Sequence, residues 1–277
     1  MSLPAYVSRN GAMIRPKEAR ISVFNPAIYA AYGVYESMQV NGGVVFALQP
    51  HLQRLAHSAA LLDLPLPVGA QTIERWIADV LAANGARDCT LRFFVVGAEN
   101  GGEVIAYLWP QSPPVFPAGI FSEGAPVITF EGHRYLPECK SLNNLASTLA
   151  RRAADAAGAH EALLRHDGHL TEGANSNLFA VQDGIVLTPP AGQVLSGVTR
   201  NIVMGLAGQA GIPLIEAVLP RSQVATWSEC FITSTGRHVM PVTHIDGHPV
   251  HNGQVGPITQ RLRDLFEACF AQATGGF

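Results

Sequence analysis

The sequence predicts two α+β domains with largely antiparallel or mixed sheets. Three observations carry that expectation. Helix-period and strand-period apolar patterns share both halves of the chain, Asp-Gly pairs punctuate the second half, and a proline-rich stretch divides the 277 residues near the middle. That stretch, WPQSPPVFPAG from Trp109 to Gly119, places four prolines among eleven residues, a composition hostile to helix interiors and central strands. It reads as a linker between a small domain over 1–115 and a larger one over 120–277.

In the first domain, NGGVVFAL is a hairpin strand, and HLQRLAHSAALLDL a helix with Leu52, Leu55, Ala59 and Leu62 on one stripe. TIERWIADVLAANG is a second helix. The apolar runs TLRFFVVG and EVIAYLW follow as strands, with Ala98 to Gly102 as a hairpin loop between them. The second domain opens with PVITFEGHRYL as a strand and LNNLASTLARRAADAAGA as a helix that Gly158 ends. Asp167-Gly168, Asp183-Gly184 and Asp246-Gly247 each lie between strand-like segments and predict tight hairpins, because both turn positions tolerate positive φ. Helical patterns return at VTRNIVMGLAGQAG, SQVATWSE and GPITQRLRDLFEACFAQ.

Composition narrows the function. A net charge of −3 without a basic run argues against a nucleic-acid partner. No apolar run reaches the length of a membrane span or a signal-peptide core, so a cytoplasmic protein is expected. Cys89, Cys139, Cys230 and Cys269 are far apart and form no CxxC pair, which predicts reduced, packed thiols. His244, His248 and His251 straddle one Asp-Gly turn without a completing cysteine or acidic cluster, so no metal is expected.

The cations hold the sharper clue. Of eighteen basic residues only Lys17 and Lys140 are lysine. Guanidinium cannot form an imine with an aldehyde, and a primary amine can. Lys17, in PKEAR, reads as a surface charge, whereas Lys140 directly precedes SLNNL and a helix. TEGANSNLF follows, with Glu172 at a strand end. LSGVTRN comes next, where Gly197 turns the chain and Val198 and Thr199 open a helix whose N–H groups point at an anion. Thr233, Ser234, Thr235 and Gly236 close a later strand with further hydroxyls. Singly, each is also an ordinary cap or turn.

Together HLQRL, KSLNNL, TEGANSNLF, LSGVTRN, ITSTG and PVTHIDGHPVHNGQVGPIT resemble, in order and spacing, the class IV aminotransferases. That family includes branched-chain and D-amino-acid aminotransferases and aminodeoxychorismate lyase. The resemblance implies a two-domain fold-type-IV enzyme dependent on pyridoxal 5′-phosphate (PLP), active on an amino acid and a 2-oxo acid, and a homodimer. It implies that Lys140 is the Schiff-base lysine, that Glu172 faces the pyridine nitrogen, and that Arg54, Val198, Thr199 and Thr235 bind the phosphate. Tyr35, in GVYES, matches an aromatic residue beside the substrate, with Glu36 following it. Arg92, in TLRFF, resembles the arginine of the branched-chain enzymes' YIRP segment. Arg237 and His238 stand where many relatives carry small or acidic residues, and Arg237 could bind a carboxylate.

Two departures bear on substrate choice. Ala31 and Tyr32 replace the usual Gly and Asp before GVYE, and the carboxylate-binding stretch of the D-amino-acid enzymes is not recognisable in VVGAENGGEV. Handedness therefore stays open. So do a lyase reaction giving 4-aminobenzoate and pyruvate, and a PLP-binding protein without turnover.

Overall fold

The computed structural model describes residues 3–98 and 102–275, which divide into two compact units. The first comprises the chain up to Pro114, the short segment Cys139–Asn143, and the chain end from Phe270; the second comprises Val115–Glu138 and Asn144–Cys269.

The first unit holds β1 (Val7–Arg9), β2 (Ala12–Ile14), α1 (Ala27–Ala30), β3 (Gly33–Asn41), β4 (Val44–Val45), α2 (Leu48–Ala60), α3 (Ala70–Asn84), β5 (Cys89–Val96) and β6 (Ile105–Gln111). Its strands form one antiparallel sheet in the order β2-β1-β6-β5-β3-β4. Strand alternation places Val34, Met38, Leu91, Phe93 and Val95 on one face, packed with Leu55 of α2 and Ile73 and Val80 of α3 in a single core. Tyr35, Ser37, Arg92 and Phe94 fall on the opposite face.

Two expectations change here. Trp109, Pro110 and Gln111 are not linker but the end of β6, paired with Arg92, Leu91 and Thr90. Pro110 is tolerated because β1 pairs with β6 only at Tyr107 and Leu108, so the missing N–H falls on an edge. Lys140, expected in the second domain, belongs with the first unit: Tyr35 N donates to Lys140 O at 3.0 Å and Leu142 N to Gly33 O at 2.9 Å, extending the sheet beside β3. The β5–β6 pairing is antiparallel as expected, while Glu99 to Gly101 of the connecting loop lie outside the described residues.

The second unit contains α4 (Ile120–Glu123), β7 (Ala125–Glu131), α5 (Leu145–Ala156), β8 (Glu161–His166), β9 (His169–Gly173), β10 (Ser176–Gln182), β11 (Ile185–Thr188), α6 (Val198–Gln209), β12 (Leu214–Glu216), β13 (Leu219–Pro220), β14 (Glu229–Ser234), β15 (His238–Ile245), β16 (His248–Pro249) and α7 (Pro257–Thr274), whose last residues group with the first unit. Strands β10, β14, β15, β7, β8 and β9 pair in succession, and a β9–β10 pairing closes the ring. Most pairs are antiparallel; β7–β8, β7–β15 and β11–β12 are parallel, the first and last joined through α5 and α6. Each Asp-Gly turn has positive φ at both residues, between 49° and 77°. SQVATWSE is not a helix of its own: Arg221–Thr226 form a 3₁₀ stretch, and Glu229 already starts β14. Pro220 and the strand leave no room for a longer helix.

Glu229 anchors α7. Its buried carboxylate accepts the N–H groups of Ile258 at 3.0 Å and Thr259 at 2.7 Å, an anion placed on a helix start. A Cβ at Gly256 would lie 2.0 Å from this carboxyl carbon, so only glycine lets the cap close. Glu229→Ala is expected to cost about 1–3 kcal/mol and lower Tm by several degrees; an unchanged melting curve would refute the cap.

Candidate active site

In the first unit, alternation along β3 sends neighbouring side chains to different tasks. Tyr35 lies on the sheet face away from the core, where Lys140 Nζ sits 4.4 Å from its ring centroid. The half-buried lysine is held by its main chain: Lys140 N donates to Ser58 Oγ at 3.0 Å, and Val34 and Ser141 form an antiparallel bridge. Arg92 shares the face, its guanidinium 5.7 Å from the Tyr35 ring and 5.5 Å from that of Phe94, with Nη1 donating to Ser37 Oγ. Trp109 packs edge-on against Phe94 at 5.0 Å. An amine and a guanidinium thus stand on an aromatic floor.

Glu36 points the other way, onto α2, and is completely buried. Arg54 grips both its oxygens, Nε to Oε1 at 2.7 Å and an Nη to Oε2 at 2.8 Å, and His51 Nδ1 lies 2.9 Å from Oε2. Burial alone would raise the Glu36 carboxyl, but Arg54 and His51 together hold it far below the ordinary carboxylate range. Burial pushes the His51 imidazole down, so it is neutral and donates its Nδ1–H to Glu36. The pairing commits Nε and one Nη of Arg54, the residue expected on the phosphate, to Glu36.

The departure before GVYE acquires a physical meaning here. Ala31 adopts φ 50°, a left-handed conformation that glycine takes without cost. The Tyr32 ring covers Gly97, where a Cβ would lie 2.3 Å from it, and the Tyr32 hydroxyl donates to Asp63 O at 3.3 Å.

In the second unit, Glu172 near the end of β9 is buried between two donors. Arg134 Nη1 lies 3.3 Å from Oε1, and Leu195 N donates to Oε2 at 3.1 Å. Asn177, opposite Glu172 across the β9–β10 pairing, donates to Leu195 O at 2.8 Å, tying the 195–197 turn to the strand ends. Gly197 is needed for room rather than for φ, since a Cβ there would lie 2.0 Å from Asn177 Oδ1. Val198 and Thr199 are the buried first residues of α6, whose cap position Gly197 supplies no side-chain acceptor. The first-turn N–H groups therefore remain available to an anion. Thr235, half-buried, occupies the turn after β14, beside Arg237.

The structure thus gathers Tyr35, Arg54, Arg92 and Lys140 within the first unit, and Glu172, Val198, Thr199, Thr235 and Arg237 within the second. Sequence reasoning missed His51, Ser58, Arg134 and Glu161. His51 was within reach, three residues before Arg54 on one helix face; Arg134 and Glu161 carry no spacing signal.

Comparison with known proteins gives a consistent result. The profile of a family described as amino-transferase class IV matches residues 33–245. A putative branched-chain-amino-acid aminotransferase of Methanocaldococcus jannaschii is 34% identical over 274 residues, covering 93% of this chain and 94% of that protein. A D-alanine aminotransferase of Listeria monocytogenes is 31% identical, covering 96% of each. Among solved structures, a T.th. branched-chain amino acid aminotransferase with pyridoxamine 5′-phosphate superimposes with a TM-score of 0.91 at 28% identity, covering all of this chain and 96% of that one.

Proposed function

Since the chain belongs to the class IV aminotransferases, we propose that it moves amino groups between branched-chain L-amino acids and 2-oxo acids, as a cytoplasmic homodimer. It is a PLP-dependent enzyme of fold type IV, and its residues fit that cofactor in three respects. A half-buried amine lies on an aromatic ring, a buried carboxylate is fixed by Arg134 and a backbone N–H, and a helix start lacks a side-chain cap. When bound, PLP supplies an aldehyde that links to an amine and a protonated ring that takes up electrons from a breaking Cα–H bond.

Lys140 Nζ would hold the cofactor and would serve as the base that takes the Cα proton. The Glu172 carboxylate would hold a proton on the cofactor's ring nitrogen. Val198 N–H and the hydroxyls of Thr199 and Thr235 in the second unit, and Arg54 in the first, would be the groups that bind its phosphate. The face formed by Tyr35, Phe94 and Trp109 suits an aliphatic side chain, and Arg92 and Arg237 are the candidate carboxylate ligands. No helix among the described residues is long and apolar enough to cross a membrane.

The observation that carries this reading is the amine of Lys140 above the Tyr35 ring. A spectroscopic half-reaction screen tests the substrate: L-leucine and L-valine should discharge the absorbance of the loaded enzyme, and D-alanine should not. A response to D-alanine alone would replace the branched-chain assignment.

A further inference from the structure

The helix that carries Arg54 also carries a buried hydroxyl. Ser58, near the end of α2, is completely buried, and Leu55 and Ala59 of the same helix belong to the apolar core. Serine suits such a place poorly, because its hydroxyl competes for backbone hydrogen bonds and alanine makes the better helix. What it does there is accept. Lys140 N donates to Ser58 Oγ at 3.0 Å, and the fully buried Cys139 Sγ donates to Ser58 O at 3.3 Å. One helical residue therefore receives two donors from the dipeptide Cys139-Lys140.

On the other side of the lysine the chain is held by β3, through Tyr35 N to Lys140 O at 3.0 Å and Leu142 N to Gly33 O at 2.9 Å. A peptide group is planar, so holding its N–H or its C=O holds the whole plane. The helix thus holds the plane before the Lys140 Cα, and β3 holds the plane after it. With both planes set, the direction of the Cα–Cβ bond is set too. The side chain leaves the main chain aimed at the Tyr35 ring, where Nζ lies 4.4 Å from the centroid. The two anchors differ in kind. Main-chain groups that any residue supplies make the β3 anchor, whereas the α2 anchor needs a short side-chain acceptor at position 58.

We propose that Ser58 is a positioning residue for the reaction: it fixes the peptide before Lys140 and so aims the amine. This rests on the function proposed above, in which that amine holds the cofactor and takes the Cα proton. Proton transfer requires heavy atoms within about 2.6–3.2 Å, and a lysine stem of four carbons magnifies any tilt at its root. Arg54 precedes Ser58 by four residues, about 6 Å along the axis. The same helix therefore ties the position of the amine to the group assigned to the phosphate. Ser58 acts through Lys140 and has no need to touch substrate or cofactor.

The test compares the holoenzymes of wild type, Ser58→Ala, Cys139→Ala and Leu55→Val, the last trimming the core face of the same helix as a control for lost stability alone. Ser58→Ala should lower kcat with L-leucine roughly 10- to 100-fold while KM changes less than about threefold, since the amine moves and the substrate's own contacts do not. Two readouts are independent of turnover. The Lys140 amide should exchange its hydrogen roughly tenfold faster or more, and the visible circular dichroism of the bound cofactor should fall at unchanged cofactor content. Cys139→Ala should move the same readouts in the same direction by a smaller factor. Leu55→Val should lower Tm and leave kcat and the dichroism in place. Unchanged kcat and dichroism in Ser58→Ala would overturn the proposal, and Cys139→Ala decides in the same way if Ser58→Ala does not fold. An equal fall in Leu55→Val would reduce the serine to a packing role, with the same consequence. If the wild type transfers no amino group at all, the proposed function fails, and amide exchange with dichroism still decides whether Ser58 aims Lys140.

Discussion

Lys140→Ala is expected to remove transamination entirely, a fall of at least about 10⁴-fold, and to leave no cofactor that borohydride can trap on the chain. The loss should be chemical rather than structural. What holds the segment is its main chain, through Lys140 N to Ser58 Oγ, Lys140 O to Tyr35 N, and the Val34–Ser141 bridge. Alanine keeps each of these bonds. The side chain contributes its amine over the Tyr35 ring, and no other lysine can replace it. Lys17, in the exposed Pro16–Glu18 turn, is the control: its alanine variant should retain full activity. Activity of Lys140→Ala within tenfold of wild type, or a borohydride-trapped cofactor mapping to Lys17, would end the account.

Much of the fold was legible because local signals agreed with tertiary structure. The Asp-Gly turns fall where positive φ is required at both positions, and the period-3.6 stripe of Leu52, Leu55 and Ala59 faces the core. The candidate cofactor residues were named from an ordered set of motifs, through resemblance more than through single residues. What failed was information that lies between elements. WPQSPPVFPAG was read as linker because three of its residues sit in a strand whose neighbour stops short, and no local pattern announces where a neighbour stops. Lys140 was placed in the wrong unit because its segment joins β3 through main-chain bonds, which any residue can make. Glu36 was noticed only as the residue after Tyr35. Its opposite orientation follows from strand alternation, but its partners come from α2, and only the packed structure brings them to it.

That cluster yields the second large effect, because a charge removed from complete burial leaves its partner uncompensated. Glu36→Gln keeps the side-chain shape while stranding the Arg54 guanidinium, whose own side chain is only 9% exposed. The expected cost is about 3–5 kcal/mol near neutral pH, read as a lower midpoint in urea. Weaker cofactor retention should accompany it, since Arg54 loses the anchor that aims it. The pH dependence supplies an independent check with a definite sign. The Glu36 carboxyl is depressed in the folded protein from an ordinary value of 4.5, so its stabilising contribution is complete above that value and is lost as pH falls toward the folded one. Wild type should therefore lose its advantage over Glu36→Gln as the solution is acidified below 4.5, and the two stability curves should converge. Equal stability of the two proteins at neutral pH, or a gap that widens on acidification, would show that the buried pair does not hold Arg54 in place.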